Sequence, residues 1–348
     1  MQGQTSAGGG TGQAPSGKSG IGTTLAAVAL AIAVVALAVS FVLPKMAGPT
    51  GPAGTTGPQG PPAGVLWADV NTSGTLVHGS GSSGAYLVEA GGYQVNFTRD
   101  VTACSYVASL VVQNDIDVGP AGMVTVAGRV GLPDSVFVAT TDTAGAPSDL
   151  AFDLLVSCQS PTWAVVSASG SIVRSADAVT SAQNSTGEYN VVFDQSVLNC
   201  AILATPGTTG SVGTVAPGYA TVQGAFGVPD GVYVAIYNAT GVLTNSSFHV
   251  VVDCQSPNWA VVTNAGVLSR GSAVSASGSD GDYEVVFNQD VMNCAYIGSA
   301  GSTGDFGVYG PAQVAFAGLE DNAFGIFVST HDTTGAVTAE SFHVGVFC

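Results

Sequence analysis

Six cysteines carry the most legible chemistry in this chain. Cys104 and Cys158, Cys200 and Cys254, and Cys294 and Cys348 form three couples with one common separation, 54 residues. Identical spacing in three places makes pairing within each couple the expected connectivity. Closing a loop of that length contributes about 4 kcal/mol in the chain-entropy model. Metal binding by these cysteines would call for a tight C-x-x-C or a nearby histidine, and neither spacing occurs. Disulfides point to an oxidising compartment, outside a cytoplasm that keeps thiols reduced.

The other candidates are thinner. Trp67, Trp163 and Trp259 recur at one position and are candidate ligand-facing aromatics, weighed against a core-capping role beside a junction. His249 and His343 recur in an F-H-V segment where the first copy has Asp153. A lone strand histidine points to a structural or surface residue before a metal ligand. Asp280, Asp282 and Glu284 could offer carboxylate oxygens to calcium, but they lack counterparts in the other copies and read as a polar turn. Asp142, Asn238 and Asp332, each three residues before a glycine, read as hairpin turn residues. No G-x-S-x-G, H-E-x-x-H or phosphate-cradling loop occurs, so neither an enzyme nor a cofactor is expected. Sequons stand at Asn71, Asn96, Asn184, Asn238 and Asn245.

The elements that must position these residues repeat. W-A-V-V, G-x-Y-x-V-x-F, a cysteine and a final F-H-V-x-V-x-C are written three times, with a Trp-to-Trp period of 96. Units of that length can each bury a core, which separates them from solenoid repeats. Apolar residues alternate with period two, as in Tyr189, Val191 and Phe193. Further strands are expected at 163–166, 200–204, 219–223, 232–237 and 248–254. The fold class is therefore all-β: three tandem β-sandwich or small β-barrel domains, each with one disulfide, over 65–158, 159–254 and 255–348. Short proline-bearing links at Pro161 and Pro257 suggest that the domains stand as a semi-rigid rod.

Upstream, residues 1–20 are too polar to pack a core and are expected to be disordered. Residues 21–43 end in an uncharged run, 25–43, long enough to span a bilayer as a helix. An uncleaved membrane anchor is favoured over a signal peptide cleaved after Ala38, because the apolar run exceeds the usual core of such peptides. A prepilin-type leader ending at Gly20 is a weaker reading, since no Glu follows it. Residues 44–64 hold Gly48, Gly51, Gly54, Gly57 and Gly60 in the collagen register. That segment suits a homotrimeric triple helix or, failing trimerisation, a stiff single-chain spacer.

The net charge is −17, and only six residues are Lys or Arg, so a nucleic-acid partner is not expected. The Trp- and Cys-marked unit behind a short Gly-x-y stretch resembles β-rich repeat domains of little-characterised bacterial collagen-like cell-surface proteins. That resemblance implies a single-pass protein of the cell membrane with its C-terminal domains extracellular. It carries over no site residue. The expected function is surface display in an adhesion or envelope-structural role, with a glycan or protein as the surface ligand. A fibre, spike or pilin-like appendage component is the alternative, and an exported hydrolase ranks last. The first unit departs from the other two at Asp69, Arg99 and Asp153.

Overall fold

A computed structural model describes residues 65–113, 119–159, 162–211, 213–254, 256–305 and 309–348. The expected disordered terminus (1–20), membrane span (21–43) and collagen-like stalk (44–64) lie outside the described residues. Among the described residues, no helix is long and apolar enough to cross a membrane.

The described chain is all-β, and each repeat contributes eight strands to two four-stranded antiparallel layers. In the first repeat the inner layer joins β1 (Leu66–Val70), β2 (Leu76–Ser80), β5 (Ser105–Val112) and β8 (Phe152–Ser157) in the order β2-β1-β8-β5. The outer layer joins β3 (Ser82–Glu89), β4 (Gly92–Phe97), β6 (Met123–Arg129) and β7 (Leu132–Thr141) in the order β3-β4-β7-β6. The second repeat runs from β9 (Thr162–Val166) through β13 (Ala201–Pro206), β14 (Gly218–Ala225) and β15 (Val228–Asn238) to β16 (Phe248–Asp253). The third runs from β17 (Trp259–Val262) through β21 (Ala295–Ala300) and β22 (Gln313–Gly318) to β24 (Phe342–Phe347).

Period-two alternation works as expected on the core side. Tyr189, Val191, Phe193, Phe248 and Val250 fill the second repeat's own core, and the equivalent residues fill the others. The disulfides Cys104–Cys158, Cys200–Cys254 and Cys294–Cys348 tie the start of each inner edge strand to the end of the last strand. Asp142, Asn238 and Asp332 hold tight turns, each side-chain oxygen accepting the backbone N–H groups two and four residues on. Asp280 and Gly281 take left-handed backbone angles of 58° and 101°, as a two-residue hairpin turn requires.

The rod is not what forms. The described residues belong to one compact unit, Pro61–Cys348. The inner layers turn their second faces toward each other, and Trp67, Val107, Trp163, Leu203, Val251, Trp259, Ile297 and Phe347 share one buried cluster drawn from all three repeats. The physical reason is visible in β8, β16 and β24, whose residues are buried on both faces. A strand apolar on both sides needs cover on both sides, and here the other two repeats supply it.

The repeats meet head to tail, and the sequence of contacts closes. β6 bridges to Gly207 after β13, and β14 bridges to Gly301 after β21. β22 returns to pair in parallel with β5 through Ala315–Leu110, Phe316–Val111 and Ala317–Val112. The result is a pseudo-threefold ring made by one chain, with the same donor and acceptor patches used at each junction. Gly207 and Gly301 mark where backbones approach too closely for a side chain. A Cβ on Gly301 would lie 2.1 Å from the Val222 carbonyl oxygen. Gly301→Val is therefore expected to destabilise the body by about 3 kcal/mol or more in urea melts. Gly210→Ala, at a position with open space, is expected to stay within about 0.5 kcal/mol of the parent.

Candidate functional site

An edge strand presents unpaired N–H and C=O groups that must be paired or covered. The edges of β5, β13 and β21 that lie away from their own layer face the neighbouring repeat and are satisfied there by side chains and, over Leu110–Val112 of β5, by pairing with β22. The Tyr106 N–H donates to His249 Nδ1 at 2.8 Å, and the Ile202 N–H donates to His343 Nδ1 at 3.0 Å. Two residues along, the Ala108 N–H donates to Thr205 Oγ1 and the Ala204 N–H to Ser299 Oγ. At the third junction the Tyr296 N–H donates to Asp153 Oδ2 at 2.6 Å and the Gly298 N–H to Ser109 Oγ. Each of these side chains comes from the adjacent repeat.

These contacts fix the histidine tautomers. Because Nδ1 accepts, Nε2 carries the proton and donates to the Thr208 carbonyl at 2.9 Å or the Ser302 carbonyl at 3.0 Å. Both rings are fully buried. Burial, reinforced by the nearby Arg174 or Arg270 charge and opposed by the accepting carbonyl, pushes each imidazole down to about 3. Arg174 Nε donates to the Cys104 carbonyl at 2.8 Å, and Arg270 Nε to the Cys200 carbonyl at 3.3 Å, clamping the same two junctions. The Arg174 guanidinium also stands 5.6 Å from the Tyr106 ring centre.

The third junction replaces this set. His78 occupies the arginine position, Asp153 the histidine position and Asp69 the position of Val165 and Val261. Asp69 and Asp153 are register partners across β1 and β8. Asp69 pairs with His78 at 3.2 Å and accepts from Gln113 at 2.7 Å. The buried Asp153 carboxyl is held well above the usual range by burial first and by the Asp69 charge second, against the Tyr296 N–H.

A cavity of about 670 Å³ is lined by residues of all three repeats, including Val65 and Cys348 at the two ends of the described chain. Trp67, Gln195, Asn258, Gln289 and Asp177 line it, with Phe347 on its apolar side. Among the described residues, none that lines it is Lys or Arg.

The candidate aromatics Trp67, Trp163 and Trp259 are 4%, 2% and 8% exposed. They belong to the shared cluster rather than to an open platform; Trp67 also lines the cavity. Cys104, Cys158, Cys200, Cys254, Cys294 and Cys348 are all disulfide-bonded. Among the described residues, no group of three or more His, Cys, Asp or Glu is placed to hold a metal ion. Sequence reasoning treated His249, His343 and Asp153 as isolated and missed their shared role. The available signal was their position on the second face of a strand whose other residues are nearly all apolar. Comparison with protein-family models, curated proteins and solved structures finds no match.

Proposed function

We propose that this chain is a membrane-anchored surface protein that displays the three-repeat body outside the cell in an adhesion or envelope-structural role. The observation that carries this reading is the locked ring itself. Three disulfides and three side-chain-capped junctions make a body suited to an oxidising exterior. The apolar run at 25–43 supplies the anchor, and the Gly-x-y segment supplies the spacer. The acidic surface keeps such a body soluble and away from phosphate polymers.

A second reading, a fibre or spike component, draws on the pseudo-threefold ring, whose symmetry order equals that of a collagen triple helix. Fractionation separates the two. A surface anchor keeps the full chain in carbonate-washed membranes and loses the body to protease added outside intact cells. Recovery mainly in shed filaments or particles favours the fibre, and recovery in the cytosol with free thiols overturns both.

A further inference from the structure

Two junctions of the ring are clamped by an arginine from the adjacent repeat, and the third has a cavity between the equivalent residues; we propose that this cavity binds the guanidinium group of a ligand. Arg174 donates to the carbonyls of Cys104 and Thr209, and Arg270 to those of Cys200 and Thr303. At the third junction Cys294 and Gln113 hold the equivalent positions, and Tyr296 stands where Tyr106 faces the Arg174 guanidinium. Cys294, Gln113 and Tyr296 all line a cavity of about 80 Å³. His78, in the arginine's place, has a shorter side chain and turns to Asp69 at 3.2 Å. The proposal does not depend on where the body is displayed.

The charge at this junction differs in the same direction as the shape. Arg174 and Arg270 share their repeats with Val165 and His249 or Val261 and His343, whereas His78 shares its own with Asp69 and Asp153, which both line the cavity. One permanent cation is replaced there, and two carboxyl groups are added. Asp69 takes one contact on each oxygen, from Gln113 and from His78. A carboxylate has about four acceptor sites, so Asp69 keeps room for a further charge-assisted pair. Neighbouring carboxyl groups without a nearby cation are unfavourable. A guanidinium donates to carbonyl and carboxylate oxygens in one plane and stacks on an aromatic ring, while an ammonium is a point charge. Small-molecule sites span about 300–1,000 Å³, so a cavity this small takes a headgroup whose stem leaves past the 41%-exposed His78. Among the described residues no three His, Cys, Asp or Glu converge as metal ligands, which sets a metal ion aside.

The test uses the full chain in detergent near neutral pH, titrated with methylguanidinium and with Nα-acetyl-arginine amide. Urea is the neutral isostere, butylammonium the point-charge control and calcium the metal control. Saturation-transfer NMR reports the organic ligands, and titration calorimetry reports calcium. Both guanidinium compounds are expected to bind with a Kd below about 10 mM, butylammonium at least ~5-fold more weakly, and urea and calcium not measurably. Tighter binding of the amide assigns the guanidinium to an arginine side chain, and equal binding assigns it to a free small cation. His78→Arg rebuilds the arrangement of the other two junctions from within, and is expected to weaken binding at least ~10-fold and to raise Tm by roughly 2 °C. Asp69→Asn keeps the side-chain size but removes the charge, and is expected to weaken binding at least ~5-fold; it decides alone if His78→Arg does not fold. Failure of both guanidinium compounds to bind, equal binding of urea, preferential binding of calcium, or parent affinity in a folded variant overturns the proposal.

Discussion

Lowering the pH from 7 to 5 is expected to remove up to about 4 kcal/mol of the body's stability, about 2 kcal/mol for each of His249 and His343. In the folded chain both rings must stay neutral, because each Nδ1 accepts a backbone N–H from the neighbouring repeat. Their folded values lie near 3, while in an unfolded chain an imidazole titrates near its ordinary value of about 6.5. The sign follows directly. A group whose folded value is depressed contributes its full stability above the unfolded value, and loses it as the pH falls toward the folded one. Between pH 6.5 and 3 the unfolded chain binds protons that the folded chain refuses. His331, also depressed by burial, acts in the same direction. Asp153 acts in the opposite direction, since its raised folded value means that acidification relieves a buried charge. Urea melts at pH 7 and pH 5 measure the difference. A His249→Asn/His343→Asn variant keeps an acceptor oxygen but no titrating ring. It is expected to start less stable and to change much less between the two pH values. Asp153→Asn removes the opposing group and should steepen the acid loss. Equal stability of the parent chain at pH 7 and pH 5 would sink the neutral-acceptor assignment.

Much of each repeat could be read from residue types alone. The 54-residue cysteine spacing gave the disulfides, the Tyr-x-Val-x-Phe alternation gave β-strands, and the glycine spacing after Asp142, Asn238 and Asp332 gave turns. These depend on local backbone chemistry and on a single core-facing side. Association between repeats depends on the other side. In F-H-V-V-V-D the residues opposite the core, His249, Val251 and Asp253, are as buried as Phe248 and Val250. That double burial calls for a partner surface but does not say which one. The links through Pro161 and Pro257 look like spacers because a stiff proline segment is equally compatible with a rod and with a tight return. The cavity was less legible still, since Val65, Asp177, Gln289 and Cys348 come together only when the ring closes. Asp69 and Asp153, noticed as departures of the first repeat, turned out to mark the closing junction.

The middle repeat expressed alone in an oxidising compartment is expected to assemble as a homotrimer, not as a folded monomer. It holds both halves of a junction. His249, Arg174 and Thr205 reach toward the first repeat, while its own Ile202 N–H, Ala204 N–H and Cys200 carbonyl receive the equivalent groups of the third. Heterologous contacts that close after three steps in the single chain close after three copies when the steps are identical. The apolar second face, with Trp163, Val165, Leu203 and Val251, gives the copies a strong reason to associate, because each such side chain exposed in a monomer would forfeit about 1.5–3 kcal/mol. In the full chain the short links replace this bimolecular step with an intramolecular one, at an effective concentration in about the millimolar range. The isolated repeat should therefore dissociate on dilution, where the full body does not. The first repeat alone gives the contrasting result. A trimer of it would bury Asp153 three times around one axis, with Asp69 beside each copy, and buried like charges oppose assembly. Light scattering over a dilution series distinguishes these cases. A well-folded monomeric middle repeat at about 100 μM, far above the concentration at which a ~10⁻⁶ M interface is full, would show that each repeat covers its own second face and that the ring is not what stabilises it.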